Sequence, residues 1–89
     1  MEHTADIRIP NKYGLHARPA AEFVKLSNRF ASDIRVRKED VEVSGKSIMG
    51  VMMLAAECGS TITVTAAGDD AEAAIEAIRT LVASGFGEE

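Results

Sequence analysis

Aromatic residues, cysteine and proline are all scarce in this chain of 89 residues. Aromatics make up 4%, with three phenylalanines, one tyrosine and no tryptophan, and the formal net charge is -4. A nucleic-acid surface needs basic patches and stacking platforms, so both numbers argue against one. The single cysteine, Cys58, excludes an internal disulfide. One thiol beside two distant histidines, His3 and His16, is also a poor metal set, and no metal or other cofactor is expected. The longest apolar run falls well short of a membrane span, so no direct membrane insertion is expected. Met1-Glu2-His3-Thr4 is polar and acidic where a secretory signal would be basic and then apolar, which makes the cytoplasm the expectation. An apolar fraction of 46% beside 27% charged residues is ordinary for a globular chain, and the length suits one domain over residues 1–89.

The pattern along the chain alternates between strand and helix periods. Ala5-Asp6-Ile7-Arg8-Ile9 alternates apolar and polar residues as a half-buried strand does, and Pro10 ends it. Pro19 suits a first helical turn, and Ala20, Phe23, Ser27 and Phe30 recur at helical spacing, which predicts a helix to about Arg29. Ile34 and Val36, then Val41 and Val43, alternate with polar residues around Glu39-Asp40 and predict a hairpin. Ser47 is a good N-cap for a short helix over Ile48 to Ala55, with Gly59 beyond as a terminator. Ser60 to Ala67 reads as a fourth strand with Ile62 and Val64 inward. Asp69 and Glu72 have capping-box spacing, and Ala71, Ala74, Ile75, Ile78, Leu81 and Val82 form one apolar stripe of a last helix. The order β-α-β-β-α-β-α implies an α+β open-faced sandwich, a four-stranded antiparallel sheet with three helices on one face. Strand order does not follow from this pattern.

Chemistry concentrates where the first loop meets the first helix. Asn11-Lys12-Tyr13-Gly14-Leu15-His16-Ala17-Arg18-Pro19-Ala20 puts a histidine and an arginine two apart at that junction. The first N–H groups of a helix lack intrahelical acceptors and the dipole is positive there, so a negative group on His16 is stabilised. Imidazole is also a competent nucleophile near neutral pH. Position alone leaves open that His16 is a plain polar loop residue. The short helix is apolar all round, with Ile48, Met49, Met52 and Met53 on one side and Val51, Leu54 and Ala55 on the other. One side then faces the core and the other a partner, for which flexible methionines are suited, although full burial is the alternative.

Gly14-Leu15-His16-Ala17-Arg18-Pro19-Ala20 resembles the active-site signature of the HPr family of histidine-containing phosphocarriers. Gly45-Lys46-Ser47-Ile48-Met49-Gly50-Val51-Met52 is similar to that family's regulatory serine segment, at the family's spacing. The resemblance covers almost the whole chain. It implies that enzyme I, charged from phosphoenolpyruvate, phosphorylates Nδ1 of His16, and that a sugar-specific enzyme IIA receives the group. Arg18 would support the phosphorylated ring, while Ala17 and neighbouring amides would cradle its oxygens. Ile48, Met49 and Met52 would dock partners, and the protein would be a substrate in a relay rather than an enzyme. Ser47, a cap from its pattern, would also be a regulatory phosphorylation site for an HPr kinase/phosphorylase. A monomer is expected. The other class of function is a regulatory, nitrogen-type or signalling paralogue that acts as a phosphorylation-dependent binding module. Retention of His16 disfavours relatives that have lost it, and Pro19 leans toward the sugar branch.

Other signals are weaker. Gly45-Lys46-Ser47 matches the end of a P-loop, but Asp40 stands where its first glycine belongs. His3 reads as part of a frayed terminus and Cys58 as a small filler. Asp69, Asp70, Glu72 and Glu76 read as caps and a solvated face.

Overall fold

The computed structural model describes residues 1–87. Its elements are β1 (Glu2–Arg8), α1 (Ala17–Ser27), β2 (Asp33–Lys38), β3 (Val41–Ser44), α2 (Ile48–Met53), β4 (Thr61–Ala67) and α3 (Ala71–Ala83), followed by a 3-10 turn at Gly85–Gly87. This is the expected α+β order. The four strands form one antiparallel sheet in the order β1-β4-β2-β3, with the three helices packed over one face.

Alternation along each strand becomes a two-sided sheet through the register. Ala5 pairs with Val64, Val64 with Val36, and Val36 with Val43, so one apolar row crosses all four strands on the helix side. The neighbouring row, Asp6, Thr63, Arg37 and Glu42, falls on the opposite face. There Thr63 Oγ1 donates to Asp6 Oδ1 at 2.8 Å, and Arg35 and Glu42 form an ion pair of 3.4 Å. Exposed pairs of that kind contribute at most about 1 kcal/mol. Burial of Phe23 from α1, Ile34, Ile62 and Val64 from the sheet, and Ile78 and Val82 from α3 dominates instead, at about 1.5–3 kcal/mol per large side chain.

Several local readings are corrected. β1 starts at Glu2, so His3 is not frayed: it pairs with Ala66, its Nε2 is buried, and Gly68 N–H donates to the Met1 carbonyl at 2.8 Å, which carries the ladder to the first residue. α1 stops at Ser27 rather than near Arg29, where Asn28 Nδ2 turns back onto the Val24 carbonyl at 3.0 Å and Phe30 N–H bonds Ser27. α2 ends at Met53, because Ala55 has φ +50° and its N–H closes a tighter turn onto Met52. Ala55 is consequently exposed instead of sharing the buried side with Val51 and Leu54.

The capping box at the start of α3 does not form. Asp70, not Asp69, holds the N-cap position, and its side chain caps nothing in its own helix. Its carboxylate accepts instead from the Ala31 N–H at 2.8 Å, the Ser32 N–H at 3.0 Å and the Ser32 hydroxyl, so it ties the α1–β2 loop to α3. The Ser32 hydroxyl, followed by the Ala31 N–H, holds the Asp70 carboxyl below its ordinary range. Cys58 is exposed, with Sγ 3.6 Å from the Pro10 carbonyl oxygen, and fills no core space. Among the described residues no helix is long and apolar enough to cross a membrane.

Candidate functional site

The loop ahead of α1 is held by its own backbone. Gly14 N–H donates to the Asn11 carbonyl at 3.2 Å, and the buried Asn11 side chain returns a bond from Nδ2 to the Gly14 carbonyl at 2.8 Å. Gly14 has φ +67°, a region that favours glycine, and a Cβ there would lie 2.2 Å from the Ala56 carbonyl oxygen. The next residue closes the contact: Leu15 N–H donates to that same oxygen at 2.9 Å, with the Leu15 side chain buried beneath. The His16 loop and the segment leaving α2 are thereby joined through main-chain atoms.

His16 follows at the N-cap position of α1, in extended conformation, and its carbonyl accepts from Ala20 N–H at 2.9 Å. The imidazole is exposed, as are Ala17 and Arg18, whereas Pro19 turns inward. α1 has no acidic residue in its first turn. His16 therefore stands at the positive end of an 11-residue helix, with Arg18 exposed in its opening turn.

Facing this loop is α2. Ser47 is its N-cap, with Oγ accepting from Gly50 N–H at 3.0 Å, as its position before the apolar run predicts. Lys46 Nζ donates to the Phe30 carbonyl at 2.8 Å and ties the Ser47 turn to the α1–β2 loop. Val51 and Leu54 are buried, while Ile48, Met49, Met52 and Met53 remain exposed, Met49 and Met53 by about 70%. The helix is thus two-sided in the sense its sequence suggests, apart from Ala55. Between the two walls lies an open depression of about 590 Å³, lined by Lys12, Tyr13 and His16 on one side and Met52, Glu57 and Cys58 on the other.

The structure brings His16 and Met52 to one cavity. Ala17, Arg18, Ser47, Ile48 and Met49 do not line it; the first two stand in the opening turn of α1, the others at the start of α2. Sequence reasoning missed Lys12 and Tyr13 as parts of this wall. The Tyr13 ring stands perpendicular to the His16 ring with centroids 6.0 Å apart, and Lys12 Nζ lies 5.3 Å from the Tyr13 centroid. The available signal was a lone tyrosine three residues ahead of the histidine.

Comparison with known proteins agrees with this architecture. A family model described as the PTS HPr component phosphorylation site matches residues 3–84. The phosphocarrier protein HPr of Cupriavidus necator is 46% identical over 83 residues, covering 93% of each chain. The HPr-like protein Crh of Bacillus subtilis is 42% identical, over 92% of this chain and 94% of its own length. The crystal structure of HPr-C-His from Thermoanaerobacter tengcongensis superposes with a TM-score of 0.94 at 48% identity, covering 98% of both chains. One family spans nearly every residue from β1 to the end of α3, in sequence and in fold alike, and the chain belongs to it: the HPr family, the phosphocarrier proteins of the phosphotransferase system.

Proposed function

We propose that His16 is the phosphoryl acceptor and donor of this phosphocarrier, charged by phosphorylated enzyme I and discharged to an enzyme IIA in sugar uptake. The observation that carries the reading is an exposed imidazole at the N-cap of α1, beside Arg18, on the rim of an open cleft. The His16 Nδ1 lone pair forms the new N–P bond as the donor's bond to phosphorus breaks and its electron pair stays on the donor. The proton His16 loses from its other ring nitrogen is balanced by one taken up by the donor. Arg18 and the N–H groups around Ala17 stabilise the incoming charge. The protein is then a substrate of the relay rather than its catalyst, acting as a cytoplasmic monomer of one domain.

Partners dock on the exposed side of α2, through Ile48, Met49 and Met52, where apolar side chains lie beside the cleft. Ser47 is the regulatory site. A phosphate there adds a charge of about −1.5 to −2 at the rim of that apolar surface, and the charge must be desolvated when a partner covers it. An HPr kinase/phosphorylase is the modifying enzyme this implies. Likeness to Crh supports a second reading, a regulatory paralogue whose modification state is read by a binding partner.

Incubation with phosphoenolpyruvate and enzyme I tests both. The expected result is one acid-labile phosphate, lost in His16→Ala and passed on to enzyme IIA. Label retained in His16→Ala overturns the assignment, and label that no enzyme IIA accepts favours the regulatory reading. Ser47→Asp should slow charging by enzyme I without unfolding the protein, and charging at the native rate would leave Ser47 as a cap alone.

A further inference from the structure

The three phenylalanines belong to the core or lie against it, but Tyr13 is 69% exposed. Packing does not account for it. Its contacts lie at the candidate site: the ring is edge-to-face with His16, at 90° and 6.0 Å, and Lys12 Nζ sits 5.3 Å from its centroid. Its backbone lies inside the hydrogen-bonded Asn11–Gly14 turn, and the Leu15–Ala56 bond anchors the chain two residues further on. A ring on such a base can restrain its neighbour instead of following it.

Transfer places a particular demand on His16. The terminal torsion of a histidine is broad, so the contacts around an imidazole decide how often its reacting nitrogen faces the incoming phosphorus. Only near-attack orientations contribute to the rate. We propose that Tyr13 is a positioning residue that limits rotation of the His16 ring and keeps its reacting nitrogen turned to the cleft. The inference rests on His16 being the phosphoryl acceptor. Lys12 Nζ stands over the tyrosine ring in a cation–π contact. The aromatic ring, not the phenol hydroxyl, is the acting part, because the recorded contact is between rings.

An edge-to-face pair of ordinary strength biases the orientation by about 3- to 10-fold, which is about 0.7–1.4 kcal/mol at 1.36 kcal/mol per decade. Rapid-mixing transfer from phosphorylated enzyme I to native, Tyr13→Ala and Tyr13→Phe proteins reads this directly. Tyr13→Ala should lower the saturating rate by about 3- to 10-fold with unchanged half-saturation and an unchanged melting temperature, and Tyr13→Phe should restore the rate. NMR relaxation of the His16 ring C–H groups should show added fast motion in Tyr13→Ala only. A native saturating rate in Tyr13→Ala, a loss confined to half-saturation, or a Tyr13→Phe protein as slow as Tyr13→Ala each overturns the proposal. If native protein takes no phosphate on His16, the reading of the site fails; if ring motion is unchanged in Tyr13→Ala, the positioning role alone fails.

Discussion

Replacing Gly14 by alanine tests whether the candidate site is held by the main chain. The added Cβ would stand 2.2 Å from the Ala56 carbonyl oxygen and 2.9 Å from the Glu57 Cα, both backbone atoms that no rotamer change can move aside. At φ +67° an L-residue also costs about 1–2 kcal/mol. Relief requires the loop to lift from residue 56, which stretches or breaks the Leu15 N–H bond to the Ala56 carbonyl, worth about 1 kcal/mol. The expected loss is therefore about 2–3 kcal/mol, or roughly 10–20 °C in melting temperature for a chain of this size. Phosphoryl acceptance should fall further than the folded fraction explains, because His16 is two residues away and moves with the loop. Urea melts, with transfer assayed at a temperature where the variant is fully folded, separate the two effects. A Gly14→Ala protein that melts within about 3 °C of native and accepts phosphate normally would refute the argument.

The two sides of α2 should respond oppositely to truncation. Val51→Ala removes two fully buried methyl groups, about 1.6 kcal/mol before any cavity term, whereas Met49→Ala, at 71% exposure, should cost under about 1 kcal/mol yet weaken charging by enzyme I. Equal melting losses would place Met49 in the core. Asp70 should give stability an acid-sensitive component. Its folded pKa is depressed, chiefly by the Ser32 hydroxyl, so its contribution is complete above the unfolded value of about 3.9 and disappears as pH falls through the lower folded value. Urea midpoints at pH 6 and pH 3 should converge between native and Asp70→Asn protein at the lower pH, and a constant gap would contradict this. Ala55→Gly should raise stability by about 0.5–1 kcal/mol, since relief of a positive φ outweighs the added freedom of the unfolded chain. A lowered melting temperature would show that Ala55 packs better than its exposure indicates.

Elements set by local periodicity were legible, and those set by distant partners were not. Threonines alternating with Ile62 and Val64 could only be a one-sided strand, and Ser47 ahead of an apolar run could be read as a cap without knowing the fold. Strand order was hidden because Ala5 and Val64, or Val36 and Val64, meet only after the chain has turned several times. Asp70 shows the same limit at a single residue. Its neighbour Asp69 imitates a capping box, yet the groups that use a carboxylate, Ala31 N–H and the Ser32 N–H and hydroxyl, come from another loop. At the site, His16 and Arg18 were visible as a pair at a helix start. The Tyr13 contact depends on how the Asn11–Gly14 turn aims two rings, which spacing alone does not reveal.

The bond from Leu15 N–H to the Ala56 carbonyl has a bearing on how such a protein can diversify. Donor and acceptor are both main chain, so they are inherited whatever side chains occupy the neighbouring positions. Mutation at Glu57 or Cys58 rewrites the chemical character of one cleft wall and leaves the scaffold of the other unmoved. Only changes that remove the amide, such as proline at position 15, or add bulk at position 14 strike the frame itself. Side chains on that wall can therefore change while the backbone that carries His16 keeps its place.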